Sequence, residues 1–176
     1  MENNSNNNEL IDLKDINISD KVPQDCTNVS LIDGCILEPE QYNFLWATSW
    51  LTLPTAICAY YNKHYLSSAL STCILLTSLN YWRKPVRGFS RNLDMVTSYF
   101  SIGLHLLTST NAQYARIYYP MALMGLSCYP IGNYYYNKKK YWLSTYFHGG
   151  LHFIANLSHT ILFCGKMEQF RYVCLY

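Results

Sequence analysis

Five windows free of Lys, Arg, Asp and Glu run through most of this chain, at residues 41–62, 64–82, 95–115, 117–137 and 141–165. From residue 42 onward the charges collect in the short breaks between them and after the last. A helix on the surface of a water-facing bundle normally carries a charged face, whereas a helix crosses a bilayer with about 20 largely apolar residues. The windows therefore predict an all-α fold: a polytopic transmembrane helix bundle of about five spans, near 42–62, 64–82, 95–115, 117–137 and 141–165. Tyr60, Tyr61, Tyr81, Trp82, Tyr134, Tyr135, Tyr136 and Trp142 at the window ends match the aromatic belts of membrane interfaces. Pro54, Pro120 and Pro130 are tolerated where neighbouring helices satisfy the freed backbone groups. Several windows are rich in Ser, Thr and Tyr, so a Tyr-rich soluble helical domain stands as the alternative.

The formal net charge of +2 hides an uneven distribution. Residues 1–41 hold nine of the eleven acids and only two bases, Lys14 and Lys21. From residue 42 onward, eleven Lys and Arg stand against Asp94 and Glu168. Low hydrophobicity and negative charge predict that 1–41 is a disordered acidic cytosolic tail, either an arm that recruits a protein partner or a plain solvated leader. No apolar run of signal-peptide length lies near its start, so a cleaved signal is not expected.

Loop charges orient the spans. Arg83, Lys84, Arg87, Arg91 and Lys138–Lys140 fall on one face, and Lys63, Arg116, Lys166 and Arg171 on the other. The denser face is expected in the cytosol. The expectation is an integral, multi-pass membrane protein in contact with membrane lipids, its N-terminus cytosolic and its C-terminus extracytosolic. Basic residues confined to short loops give no support to nucleic-acid binding. Seven cysteines, at 26, 35, 58, 73, 128, 164 and 174, show no CxxC and no disulfide framework. Cys164 and Cys174 can pair if their side is oxidising.

The last window is the most informative for chemistry. At about 100° per residue, His148, His152, Asn156 and His159 fall within a wedge of roughly 80°. Asp94, Ser98, Ser101, His105 and Thr108 form a similar stripe in the third window, and Ser67, Ser71, Ser78 and Trp82 in the second. Asp94 and His105 are eleven residues apart, as are His148 and His159, a rise of about 16 Å. If the helices touch, Ser78, Asp94, His148 and His152 form one layer and His105 with His159 a deeper one. Two His at i, i+4 and a carboxylate are a plausible zinc set. A zinc-bound water is a hydroxide source near neutral pH, and Ser78 can hold that water or help stabilise an oxyanion. The plainer reading is that each His is a packed, hydrogen-bonded core residue, that Asp94 pairs with the neighbouring arginines, and that the Ser and Thr stripes mark close helix contacts.

A Ser in the second span, an Asp at the start of the third and HxxxH in the last resemble the CREST superfamily of membrane hydrolases. That superfamily includes the alkaline ceramidases and the receptors of the adipoQ type. The resemblance covers roughly residues 78–152 and rests on Ser78, Asp94, His148 and His152. It implies a zinc cofactor held by His148, His152 and Asp94, with Ser78 and Asp94 as catalytic groups in lipid amide hydrolysis. This chain departs from the pattern in two respects: Trp82 stands where the family has a third histidine, and five spans are predicted instead of seven. The leading expectation is a reduced zinc-dependent lipid hydrolase. The alternatives are a non-enzymatic membrane scaffold or lipid-binding assembly protein, and a proton or ion conduit through Asp94, His105, His148, His152 and His159.

Overall fold

The computed structural model describes residues 35–167. Residues 1–34 and 168–176 lie outside the described residues. With them go most of the tail expected to be disordered and Cys174, the expected partner of Cys164.

Six helices follow one another: α1 (Pro39–Ser49), α2 (Thr52–Tyr61), α3 (Tyr65–Trp82), α4 (Phe89–Thr108), α5 (Ala115–Asn137) and α6 (Tyr141–Cys164). α1 opens on a capping box between Glu38 and Gln41, with Pro39 at its first position. Pro54 explains the break between α1 and α2. It has no N–H to donate to the Trp50 carbonyl, which accepts from Leu53 N at 3.0 Å instead, and its ring crowds the preceding turn. α2 and α5 both end in a Schellman arrangement. His64 N donates to Ala59 O at 2.9 Å and Lys140 N to Tyr135 O at 3.0 Å, with Lys63 and Lys139 at positive φ where glycine is usual.

Among the described residues no helix is long and apolar enough to cross a membrane. The five transmembrane spans, the integral multi-pass localisation and the cytosolic–extracytosolic sidedness are corrected by this. Freedom from charge is not the same as apolarity. The first window is cut into helices of 11 and 10 residues. α3 carries Ser67, Ser68, Ser71, Thr72, Thr77 and Ser78 along its 18 residues. α4 begins ahead of its charge-free window and takes Arg91 and Asp94 into its first two turns.

Residues ahead of Tyr42 already belong to the fold. Cys35 bridges to Val86, Ile36 N donates to Pro85 O at 3.0 Å, and Leu37 and Gln41 are buried. α5 and α6 make the most extensive contact, α2 packs on α3 and α6, and α4 packs on α3. Small residues set the close approaches: a Cβ on Gly125 would stand 3.3 Å from Ile154 Cγ2, and one on Gly132 would stand 3.4 Å from Ser144 O.

The interior has an apolar plug at each end. Ala59, Ala112, Tyr118, Ala122, Leu162 and Phe163 form one, and Leu37, Leu45, Tyr81 and Trp82 the other. Between them most of the buried side chains are polar, with Ala56, Leu75 and Cys128 among the apolar ones, while Leu76, Val96, Leu107 and Leu123 stand 62–67% exposed on the outside.

α1 meets α6 where Phe44 lies over Gly149, and a Cβ there would fall 2.6 Å from the Phe44 ring. Gly149→Leu is expected to cost about 1–3 kcal/mol through overpacking. Gly103→Ala, where nothing lies within 4 Å, should be neutral or gain up to about 1 kcal/mol from helix propensity. Urea unfolding midpoints of the two variants measure the contrast.

Candidate functional site

The seam is anchored by a buried carboxylate. Ser78 Oγ donates to Asp94 Oδ1 at 2.6 Å, and Thr77 Oγ1 lies 3.1 Å from the same oxygen. Adjacent residues of α3 thus clamp one residue of α4. Burial pushes the Asp94 carboxyl above the usual range, against the pull of the Ser78 and Thr77 hydrogen bonds. Arg91, three residues away, hydrogen-bonds Tyr81 instead.

α6 contributes two imidazoles at this level. The His148 ring centroid lies 5.0 Å from Trp82 and 5.1 Å from His152. His152 Nδ1 is 3.0 Å from Thr48 Oγ1, which itself donates to Leu45 O at 2.9 Å. The hydroxyl is thereby left to accept, which makes Nδ1 the protonated nitrogen of His152.

A second layer lies about three turns deeper. His105 and His159 have ring centroids 4.7 Å apart, and both rest on Phe163. His159 Nδ1 donates to Ala155 O at 2.7 Å, so its Nε2 accepts from Tyr118 OH at 3.3 Å. Ser101 Oγ is 3.4 Å from His105 Nδ1, whereas His105 Nε2 is buried without a partner among the described residues.

Every one of these imidazoles is neutral at physiological pH. Burial lowers His105 and His152 to about 3, each helped by a neighbouring His, and His148 to about 4. His159 is lowered by burial too. These α6 rings are half-buried and line a cavity.

That cavity, of about 210 Å³, lies between α4 and the α1–α2–α6 side and runs from Ser78 and Asp94 to His105 and His159. Hydroxyls of Ser49, Thr52, Thr55, Ser71 and Ser101 line it alongside Ile74, Ile102, Leu126 and Leu151. A second cavity of about 440 Å³ shares Asp94, Met95, Tyr129 and His148 with the first and reaches Trp82, Arg87 and Arg91. Trp82 Nε1 is buried without a partner among the described residues.

The sequence stripes thus converge. Ser78 and Asp94 are brought into direct contact, His148 sits beside His152, and all four line one cavity. Trp82 packs on His148 in the place of the third histidine. Among the described residues no group of three or more His, Cys, Asp or Glu is placed to hold a metal ion, and the metal-dependent reading is corrected by this. The membrane hydrolase, membrane scaffold and transmembrane conduit all presuppose spans and are corrected with them. Thr48, Thr77, Tyr118 and Tyr129 were missed. Thr48, Thr52 and Thr55 recur at helical spacing and could have been read as a further stripe. No family model, curated protein or solved structure matches the chain.

The buried imidazoles set an acid limit on stability. In the unfolded chain they take up protons near pH 6.5, while His105, His148 and His152 in the fold resist protonation down to about 3–4. Between these values the unfolded chain binds more protons, so stability falls with falling pH by about 1.4 kcal/mol per unit for each such His. The raised Asp94 works in the opposite direction but counts for one proton. Denaturant midpoints should drop steadily from pH 6.5 to 4 and stay level from 7 to 8. His105→Asn should reduce the slope by the share of one His.

Proposed function

We propose that this chain is a small-molecule binding protein, and that its ligand is an uncharged, elongated amphiphile of lipid class. The ligand is apolar over most of its length and carries hydroxyl or carbonyl groups along one edge. The single observation that carries this reading is the cavity of about 210 Å³ walled by Ser, Thr and His residues together with Ile and Leu, which shares Asp94, Met95, Tyr129 and His148 with a second cavity of about 440 Å³.

Further support comes from the lining. Aliphatic walls and a row of hydroxyls suit a chain with polar groups on one side. The neutral imidazoles argue against an ionic ligand for the seam, because a charge there would lose its hydration with no opposite charge to replace it. Among the described residues Asp94 is the one acidic side chain lining either cavity. Its bonds to Ser78 and Thr77 leave Oδ2 to meet a ligand hydroxyl.

Two solvatochromic dyes test the reading on the full chain, one an uncharged aminonaphthalene ketone and the other an anionic anilinonaphthalene sulfonate. The uncharged dye is expected to bind with blue-shifted emission. Ala155→Phe, which places a ring in the cavity, should weaken it at least tenfold, and the outer-face change Val96→Ala should not. A folded Ala155→Phe protein that binds the uncharged dye as well as the parent would end the proposal.

A further inference from the structure

Cys58 on α2 and Cys164, the last residue of α6, are 106 positions apart in the chain, yet their sulfurs lie 3.4 Å from each other. No CxxC spacing announces the pair. It arises because the two helices share a ladder of polar contacts. Thr55 Oγ1 meets Thr160 Oγ1 at 3.0 Å and donates to Asn156 O at 3.3 Å. Cys58 and Cys164 continue that ladder by one turn, with the Cys58 thiol also reaching Thr160 O at 3.9 Å. Cys164 is exposed and Cys58 partly so, whereas Cys35 and Cys128 are buried. Cys73 is exposed, and no other cysteine among the described residues is recorded near it.

We propose that Cys58 and Cys164 are a reversible oxidation site that closes an intramolecular disulfide by exchange with a low-molecular-weight disulfide of the oxidised-glutathione type. The Cys164 thiol gives its proton to solvent, and the thiolate attacks one sulfur of the small disulfide. A mixed disulfide forms on Cys164 and one small thiolate leaves. Cys58 then loses its proton and attacks Cys164 Sγ, breaking the mixed disulfide and releasing the second small thiol. Overall two protein thiols are oxidised by two electrons and one small disulfide is reduced to two thiols. The sulfurs must close by roughly 1.4 Å to reach bonding distance, a movement within reach of side-chain rotation on exposed helix turns.

Order follows from environment. Cys164 is the accessible group and reacts first. In the reduced pair, burial and the adjacent Cys164 push the Cys58 thiol up to about 11; burial, the larger cause, still raises it once Cys164 carries the small thiol, so its thiolate is scarce and ring closure is the slow step. Closure ties α2 to the end of α6, the two helices that present Thr55, Asn156 and His159 to the seam cavity. Oxidation therefore fixes one wall of that cavity.

The full-length protein is incubated with excess oxidised glutathione at pH 8, blocked with iodoacetamide and mapped by mass spectrometry. The expected result is a cross-linked peptide joining Cys58 to Cys164 with no glutathione left on either, simple adducts being confined to other exposed thiols such as Cys73, and full reversal by dithiothreitol. Closure should accelerate as pH rises, because the attacking group is the Cys58 thiolate. Cys58→Ser should stop at a stable glutathione adduct on Cys164, Cys164→Ser should give no cross-link, and Cys73→Ser should behave as the parent. The proposal is overturned if the parent keeps a stable adduct on Cys164 with Cys58 still alkylatable. It is equally overturned if Cys164 joins Cys174 instead, or if Cys164 fails to react.

Discussion

A carboxylate taken out of water must be answered by hydrogen bonds or lose its charge, and the rest of this interior is arranged around how Asp94 meets that demand. Ser78 and Thr77 both address one of its oxygens, which fixes α4 against α3 in register and in rotation. With α4 held on α3, the gap toward α6 is left to side chains. Imidazoles and hydroxyls meet across it, and the cavity is what they do not fill. An apolar residue at 94 would leave the Ser78 hydroxyl without its carboxylate and loosen the most extensive contact α4 makes among the described helices.

Much of this was legible beforehand. α3, α5 and α6 coincide closely with their charge-free windows, because the short breaks rich in Lys and Arg are also where the turns fall. The eleven-residue spacing shared by Asp94–His105 and His148–His159 correctly set His105 against His159. That is simple helical rise applied to two helices running side by side.

Other parts were not legible, for physical reasons. α4 starts at Phe89, ahead of its window, because a helix accepts Arg91 and Asp94 once the tertiary fold supplies Tyr81 and Ser78 to receive them. A criterion built on missing charge cannot see that. The same criterion treated hydroxyl-rich helices as bilayer spans, although a Ser or Thr that donates to its own backbone carbonyl carries no charge and still is not apolar. Trp82 stands where the resemblance expects a histidine ligand; its ring lies against His148, and its N–H is buried without a partner among the described residues.

The bundle places hydroxyls and imidazoles inside and aliphatic side chains outside, and this reverses where information about the fold is stored. Apolar packing is forgiving: a Leu exchanged for a Met or Ile loses little as long as volume is kept. Hydrogen bonds have direction and fixed length, and a misplaced partner loses nearly all of the contact. In this chain the narrow, unforgiving positions are the small polar ones, such as Thr55, Ser78, Ser101 and Ser158. The bulky outer residues that dominate its composition are interchangeable by comparison. Among relatives free to drift, the inconspicuous serines and threonines would mark common descent, and the large apolar residues would change first.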